Sequence, residues 1–384
     1  ESGGDPNVIP ELCYSEFLEF HKRYYHPVNS YIYLYGNMDM EERLNWMDEH
    51  YLSKYDETVI DSAIPKQKAF DTVKELIMEY PVSENEPEEE NSYLSYNIVA
   101  GNSLDVEQNT AFDILDYTLL SAPGAPLKQA LLDAGMGKDI MGSYEDGIYQ
   151  PFFSIVAKNA DPKKKDEFVA LIRSTLEEIV KKGIDKKAIL AGINYMEFRF
   201  READYASYPK GLMYGLDVFD SWLYGGAPEA NLQIGDLFVH LREKMKQGYF
   251  EHLIREELLE NPHRCKVALI PSKTAGEARR AKEAKRIEDE SAMWSDKVRE
   301  EIIAKQERLE AWQNSEDTPE QLAALPHLEL SDLSRTPQEQ PIEELVIDGQ
   351  KVLVHRVNSS GIAYITLYFD ENHYTEAELP ALGL

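Results

Sequence analysis

Residues 161–183 have the sequence DPKKKDEFVALIRSTLEEIVKKG, which contains the signals for both ends of a helix. Asp161 is a residue type that caps helix N-termini, and Pro162 suits the first helical position. Two lysines followed by Gly183 are typical of a helix C-terminus. Between these ends, apolar residues recur at helical spacing along one face: Phe168, Ile172, Leu176 and Ile179. This stretch therefore predicts an amphipathic helix with one buried side.

The sequence before this helix contains signals for strands and for two shorter helices. Four stretches rich in β-branched and aromatic residues are predicted strands, at 73–81, 92–101, 139–144 and 150–158. The last two form a predicted hairpin around Gly147. The acidic stretch SENEPEEEN at 83–91 separates the first two, and we interpret it as a solvated hairpin tip, with a cation site as the alternative. Helices are predicted at 105–120 and 126–134.

The sequence after this helix indicates the fold class. Three more helices are predicted before a closing strand at 264–270. The resulting order is strands, helices, strands, helices and one strand, which differs from the strict alternation of a doubly wound parallel sheet. We therefore predict an α+β fold, with a largely antiparallel sheet and with helices packed on one face.

The first 60 residues predict a helix, a strand and a second helix. The first helix ends at His26, because a residue that precedes proline avoids the helical conformation. Residues 30–36, SYIYLYG, predict a strand. Asp39, with a glutamate three residues later, predicts the N-cap of the second helix. Residues 54–72 show no clear periodicity, so we interpret them as a linker between domains.

Residues 277–318 contain neither glycine nor proline, and apolar residues recur in them at intervals of three, four or seven. One unbroken helix of this length would exceed ~50 Å. A globular domain does not need so long a helix, so we expect a projecting arm that is folded as a hairpin. The arm either binds another protein or braces domains within the chain, and we favour the brace.

The last 44 residues, 341–384, predict a short β structure. Strands are predicted at 345–347, 351–355 and 362–370, and a helix begins at Thr375. Asp348 and Gly349 lie between the first two strands, and this dipeptide is the strongest short signal for a hairpin. Because a hairpin and one further strand cannot bury an apolar face without a cover, we expect the natural protein to continue.

Composition excludes several classes of function. The 384 residues include 70 acidic and 40 basic side chains, which gives a formal net charge of −30. Such a charge repels phosphate backbones, so we expect no nucleic acid as a partner. No apolar run approaches the roughly 20 residues that span a bilayer, so we expect no membrane partner either. The two cysteines, Cys13 and Cys265, cannot form a disulfide framework, which suits a reducing compartment.

A scan for catalytic chemistry finds no motif. Zinc peptidases place two histidines one helical turn apart beside a glutamate, as HExxH or HxxEH, and none of the nine histidines lies in either pattern. We interpret His21 and His26 as packing or capping residues. No GxSxG elbow and no GxxxxGK phosphate loop occurs. The residues alone therefore predict no catalytic residue and no metal ligand in this chain.

Six stretches in order nevertheless resemble one enzyme family. They are SGGDP (2–6), FHKRYYHPVNSYIYLYGNMD (20–39), MEFRFREADYASYPKGL (196–212), LLENPHRCKVALIPS (258–272), LPHLELSDL (325–333) and VHRVNSSGIAYITLYFD (354–370). They resemble the presequence protease branch of the pitrilysin/insulinase superfamily of zinc metallopeptidases. The resemblance covers nearly the whole chain. One departure is Asn37, where the family often has aspartate, and we expect this change to affect helix capping only.

The resemblance implies four homologous α+β domains in two halves that close around a chamber. The corresponding parts of this chain would be the end of catalytic domain one (1–55), a linker (56–69), a complete non-catalytic domain two (70–272), a helical hairpin that connects the halves (273–340) and the start of domain three (341–384). In the family, the HxxEH helix and the distal glutamate ligand both precede the SGGDP stretch. We therefore expect the zinc site of the parent protein to lie outside this chain.

The resemblance also implies a function for the parent protein. It would be a zinc metalloendopeptidase for short unfolded oligopeptides, and this chain would be a structural, peptide-enclosing segment without activity or bound zinc of its own. Its partners would be the peptides and the missing domains. Ser2, Gly3, Gly4 and Asp5 would form a loop on the active-site side.

Two points stay open at the level of sequence. The alternative function is that of an inactive homologue that binds or scaffolds peptides, and an HxxEH motif upstream in the parent gene would argue against this alternative. The compartment is the second point, and acidity with few cysteines favours a bacterial cytoplasm over an organelle matrix.

Overall fold

The computed structural model describes residues 3–337, 339–370 and 373–382 of the chain. The chain divides into two compact units, Glu1–Lys273 and Thr274–Leu384. The first unit contains five strands that form one sheet: β1 (Lys74–Pro81), β2 (Ser92–Val99), β3 (Asp139–Glu145), β4 (Phe152–Ala160) and β5 (Arg264–Ser272). Their order across the sheet is β1-β5-β2-β4-β3. Only the β1–β5 pair is parallel, so the predicted α+β fold with a largely antiparallel sheet is confirmed.

The prediction of a hairpin between β1 and β2 is wrong. Strand β5 lies between them, with Leu76 of β1 and Ser95 of β2 both opposite Val267. The local pattern locates both strands correctly, but the last strand of the unit supplies the hydrogen-bonding partner that each of them lacks. The acidic stretch 83–91 therefore connects two strands that do not pair with each other. The predicted β3–β4 hairpin is confirmed.

Nine helices belong to the described residues of the first unit: α1 (Tyr14–Tyr24), α2 (Met40–His50), α3 (Val106–Asp116), α4 (Pro126–Asp133), α5 (Lys165–Lys182), α6 (Lys186–Glu202), α7 (Lys210–Trp222), α8 (Gly235–Lys246) and α9 (Tyr249–Leu253). Two of them continue as wide π-helical turns, α3 into Tyr117–Ser121 and α9 into Ile254–Glu260. Four helices thus lie between α5 and β5, where three were predicted.

Helix α5 has the ends that its sequence predicts. The Asp161 carboxylate accepts a hydrogen bond from the Lys163 amide at 2.9 Å, and a 3₁₀ turn, Pro162–Lys164, precedes the helix. At the other end Gly183 has a φ of +83°, which a side chain would disfavour. Phe168, Ile172 and Leu176 are buried on one face of the helix.

The core lies between the sheet and these helices. Alternate residues of β2 are buried, with Leu94, Tyr96 and Ile98 almost fully inaccessible to water. They belong to one apolar cluster with side chains of α3, α5, α6 and α8. Full burial of one such side chain stabilises the fold by roughly 1.5–3 kcal/mol, so this cluster holds the helices against the sheet.

The predicted strand at 30–36 is not a strand in the structure. Residues 31–35 belong to no helix or strand, and among the described residues their backbone pairs with no other strand. A strand needs a ladder of backbone hydrogen bonds, and a β-like sequence alone does not supply one. The flanking helices α1 and α2 are as predicted, and the Asp39 carboxylate accepts from the Glu42 amide at 3.0 Å.

In the second unit the glycine-free stretch forms two helices, α10 (Ala275–Ser291) and α11 (Asp296–Gln313). The Ser295 side chain accepts from the Val298 amide at 3.3 Å and caps the start of α11, which explains the break. The expected helical region is thus confirmed, while antiparallel packing of its two helices stays a prediction. A short helix, α12 (Pro319–Ala323), follows.

The second unit also contains the predicted hairpin. Strands β6 (Glu343–Ile347) and β7 (Gln350–Val354) pair antiparallel, and positive φ angles at Asp348 and Gly349 form the turn. The predicted strand at 362–370 is absent, because this segment pairs with no strand among the described residues. A helix, α13 (Leu379–Leu382), follows the turn that begins at Thr375.

Candidate functional site

The loop predicted to lie on an active-site side is only partly described, because Ser2 falls outside the described residues. Gly3 and Gly4 have φ values of +86° and +85°, which favour glycine. The Asp5 carboxylate accepts from the Asn7 amide at 2.8 Å, and its carbonyl accepts from Val8 and Ile9. These contacts form a tight turn, and a position beside an active site stays a prediction.

The two N-terminal histidines have packing and capping roles. His26 Nδ1 accepts from the Val28 amide at 3.2 Å, and its ring lies edge-on against Tyr55 at 5.2 Å between centroids. The His21 ring stacks on Tyr25 at 4.4 Å. Both histidines line an open cavity of about 870 Å³ together with other aromatic side chains. No group of three or more His, Cys, Asp or Glu that could hold a metal ion occurs in the described parts of the chain.

Five aspartates of the first unit have raised pKa values and influence one another, and they are here called the acidic cluster. Its members lie on α3, on the turn after β3 and on α7: Asp113, Asp116, Asp146, Asp217 and Asp220. All five are partly buried. Removal from water disfavours a charged carboxylate, and neighbouring carboxylates of the same sign disfavour it further. Carboxyl groups in such a place hold their protons at a higher pH than usual.

The pKa of each cluster member is raised mainly by burial. Burial raises the pKa of Asp116 to about 6, and Glu145 adds to this. Burial and Asp146 raise the pKa of Asp217 to about 6, and burial with Asp146 and Asp217 raises that of Asp220 to about 7.

The Asp113 carboxyl is influenced by charges of both signs. Burial, Asp146 and Asp116 raise its pKa well above the usual range, while the Arg199 guanidinium lowers it. The pKa of Asp146 itself is also raised, first by burial. Asp146 therefore influences the carboxyls of both helices.

Two glycines, which have no side chain, provide the space for carboxyls of the acidic cluster. A Cβ on Gly142 would lie 2.5 Å from Asp116 Oδ1, and one on Gly147 would lie 3.3 Å from Asp220 Oδ1. Asp116 Oδ1 is buried and has no hydrogen-bond partner among the described residues. Perturbed carboxyl pKa values are typical of functional sites in proteins, so the acidic cluster is the candidate site of the first unit.

A buried phenol lies beside the cluster. The Tyr144 hydroxyl donates to the Ala100 carbonyl at 3.0 Å. Burial raises the pKa of this phenol, and Asp146 and Asp113 raise it further. Tyr144 therefore stays protonated and keeps its hydrogen bond throughout the range in which the neighbouring carboxyls titrate.

Sequence reasoning missed this cluster, although a signal was present. Two aspartates three residues apart lie in the apolar stretch FDILDYTLL at 112–120, and two more lie in GLDVFDSWL at 215–223. Residues three apart share one face of a helix. Acidic pairs in otherwise apolar helices therefore predict partly buried carboxylates, but the influence of Asp146 on both pairs does not follow from their spacing.

Comparisons with known proteins show the family of the chain. Residues 12–196 match the family described as Peptidase M16 inactive domain, and residues 269–384 match a family described as associated with subfamily C of peptidase M16. The chain is 31% identical to Presequence protease 1, chloroplastic/mitochondrial, of Arabidopsis thaliana over 392 aligned residues. This chain belongs to the presequence protease branch of peptidase family M16.

Another relative covers the chain equally completely. Protein HypA of Clostridium perfringens is 41% identical over 383 residues. The chain spans 39% of that protein and 36% of the Arabidopsis protease, while all of the chain is covered in both cases. The M16 segment therefore corresponds to little more than a third of these curated relatives.

Solved structures agree in fold. A protease from Helicobacter pylori matches 70% of this chain and 61% of its own, with a TM-score of 0.51 and 16% identity. The periplasmic protease PqqL from Escherichia coli matches 92% of this chain and 38% of its own, with a TM-score of 0.50 and 13% identity. Within the described residues of the M16 segment, no helix combines the length and apolarity needed to cross a membrane.

Proposed function

We propose that this M16 segment is a non-catalytic, peptide-enclosing part of a longer zinc metalloendopeptidase that degrades short unfolded peptides. The observation that carries the proposal is the 31% identity to a presequence protease over the whole chain, together with the match of residues 12–196 to the M16 inactive domain. The two relatives are more than twice as long as this chain, which supports a longer parent protein.

Zinc in the longer protein would be held by residues outside this chain. Protein zinc sites use three or four His, Cys, Asp or Glu ligands. No group of three or more such side chains able to hold a metal occurs in residues 3–337, 339–370 and 373–382. The described residues therefore do not fit the metal, and the proposed role of this chain involves no step at zinc.

The proposed division of the chain follows the resemblance to the family. Residues 1–55 would complete catalytic domain one, 56–69 would be a linker and 70–272 would be the inactive domain two. Residues 273–340 would connect the two halves of the enzyme, and 341–384 would begin domain three. The change from an α+β sheet unit to a helical unit at Lys273 supports the boundary near that residue.

The charge of the chain supports contact with peptides that carry basic residues. The net charge is −30. A protein with so negative a charge attracts cationic peptides and raises their local concentration. Enclosure of peptides would therefore be helped by the same acidity that excludes nucleic acid.

Cleavage of a quenched fluorescent peptide tests the proposal. The full-length protein that contains this chain should cleave a basic peptide of about 20 residues, and a zinc chelator should abolish the cleavage. The isolated chain should show no cleavage in the same assay. An inactive full-length protein that still binds the peptide would contradict the peptidase role and favour a peptide-binding scaffold.

We also propose a bacterial cytoplasm as the compartment. The 41% identical relative comes from Clostridium perfringens, whereas the organellar protease of Arabidopsis is 31% identical. Fractionation of the source cells with an antibody to this chain would test the proposal, and recovery in an organelle or outside the cytoplasm would contradict it.

A further inference from the structure

Residues 31–35 lie along helix α7. The ring of Tyr35 covers Gly211, and the ring of Tyr33 covers Gly215. Tyr31 lies edge-on against Trp222, with 4.7 Å between ring centroids. The tyrosines thus face the helix with their rings, while the backbone of the segment pairs with no strand of the described chain.

The spacing of the two elements matches. Alternate residues of an extended chain are roughly 6.6 Å apart, and residues four apart on a helix are roughly 6 Å apart. Tyr35 and Tyr33 are two residues apart, and the glycines that they cover are four residues apart. Tyr31, the next alternate residue, lies against Phe219, four residues beyond Gly215, at 6.5 Å between ring centroids. The segment therefore runs along α7 in a fixed register.

Both glycines are explained by the rings and not by the backbone. Neither Gly211 nor Gly215 is among the residues with positive φ, so α7 itself would accept alanine. A Cβ on Gly211 would lie 2.1 Å from Tyr35 Cδ1, and one on Gly215 would lie 3.0 Å from Tyr33 Cδ1. Glycine weakens a helix relative to alanine. Its presence twice on one face of α7 therefore indicates that close approach of the rings is needed.

We propose that these contacts form a clasp that holds residues 1–55 on residues 70–272 independently of residues 56–69, a division of the chain that rests on the proposed function. The clasp consists of Tyr31, Tyr33 and Tyr35 on one side and of Gly211, Gly215, Phe219 and Trp222 on the other. It takes the place of a backbone ladder between the two parts. The groove beside it, about 410 Å³ in volume, is lined largely by apolar side chains of α7 and by Tyr33 and Tyr35.

The test separates the clasp from the covalent linker. A recognition sequence for a site-specific protease is inserted beside Val59, whose side chain is 97% exposed, and the full chain is cut there after purification. The hydroxyl of Ser62 donates to Asn29 across the cut, so all variants also carry Ser62→Ala. Size-exclusion chromatography and titration then measure how tightly the two pieces stay together.

The cut pieces of the parent should co-elute, and Gly211→Ala should weaken their association roughly tenfold or more, as overpacking does elsewhere. Gly235→Ala is the matched control, because its Cβ would meet nothing within 4 Å at the start of α8. It should leave the association unchanged. Far-UV circular dichroism before the cut verifies that each variant is folded, and Gly215→Ala, with the milder contact, is the second variant if Gly211→Ala does not fold.

A double-mutant cycle identifies the partner of Gly211. Tyr35→Ala alone should weaken the association, and Gly211→Ala should add little in that background, because the ring that its Cβ would strike is gone. Equal effects of Gly211→Ala with and without Tyr35 would overturn the proposal. Separation of the parent pieces immediately after the cut would overturn it as well, and neither result depends on peptidase activity.

Discussion

The carboxyl of Asp220 has a pKa of about 7 because it is partly buried near Asp146 and Asp217. Its pKa is higher in the folded than in the unfolded chain, so the folded state binds more protons between about pH 4 and 7. Stability contributed by this group is therefore present at low pH and is lost as pH rises through about 7. Asp116 and Asp217, each with a pKa of about 6, act in the same direction.

We predict that Asp220→Asn flattens the pH dependence of unfolding. Relative to the parent chain, the variant should gain on the order of 1–2 kcal/mol of unfolding free energy between about pH 5.5 and 8, after allowance for solvent screening. Urea unfolding of both chains at the two pH values measures this difference in unfolding free energy. Burial lowers the pKa of His263, which opposes the trend, but this contribution is common to both chains and cancels.

Asp71→Asn is the control for this change, since Asp71 is an exposed aspartate before β1. It should leave the slope of stability against pH unaltered. An Asp220→Asn chain with the slope of the parent chain would show that the acidic cluster is solvated and does not hold protons at neutral pH.

Gly142 is the second residue with a sharp prediction. A Cβ there would lie 2.3 Å from Leu120 Cδ1 and 2.5 Å from Asp116 Oδ1. We expect Gly142→Ala to destabilise the first unit by about 1–3 kcal/mol, since overpacking forces neighbours to move. Gly235→Ala, with open space around its Cβ, should be neutral or slightly stabilising. Equal unfolding midpoints for both variants would contradict the close packing of β3 on the turn after α3.

Sequence reasoning at this scale succeeded where partners are local. The caps at Asp39 and Asp161 act on amides two or three residues away, so their spacing alone predicts them. The acidic cluster combines carboxyls of α3, of a turn and of α7 that influence one another's pKa, and a spacing rule contains no information about that arrangement. The clasp tyrosines were noted only as a strand-like pattern for the same reason.

Helix α5 allows a test at the scale of the element. Its predicted apolar face is buried, and Leu176 is 1% exposed, whereas Leu190 of α6 is 39% exposed. Leu176→Ala should cost about 2–5 kcal/mol of unfolding free energy, and Leu190→Ala should cost less than about 1 kcal/mol. Denaturant unfolding followed by circular dichroism measures both. Similar losses of unfolding free energy for the two variants would contradict the burial of Leu176 and would mean that α5 packs a different face against the core.

The position of β5 gives a second test of the elements. Because β5 pairs with both β1 and β2, its amides should exchange with deuterated water more slowly than those of the edge strand β1. Hydrogen–deuterium exchange with mass spectrometry compares the peptides that cover 264–272 and 74–81. Faster exchange in β5 than in β1 would support the β1–β2 hairpin that the local pattern suggested.

At the scale of the elements, sequence patterns locate strands but do not predict which strands pair. Strand-like composition correctly located β1 to β5, but it also marked 30–36 and 362–370, which pair with no strand in the described residues. A strand-like composition shows that a segment can adopt the strand conformation. Whether the segment pairs with another strand depends on residues that are distant in the sequence. The Asp348-Gly349 hairpin was predictable with its register because both strands lie within a few residues of the turn.

At the scale of the whole molecule, the chain combines an α+β unit and a largely helical unit from the presequence protease branch of family M16. Six ordered stretches of sequence were sufficient to indicate the family, and the comparisons confirmed it. The proposed role in enclosing peptides was not accessible in the same way, because the chain spans only 39% and 36% of the two relatives.

Zinc content measured by elemental analysis tests the central claim most directly. The isolated chain is incubated with zinc, separated from free metal by gel filtration near neutral pH and analysed for metal and protein. We predict far less than one zinc per chain, because the described residues supply no group of three ligands. One tightly held zinc per chain would contradict the proposal that this M16 segment is non-catalytic and that zinc is held elsewhere in the longer protein.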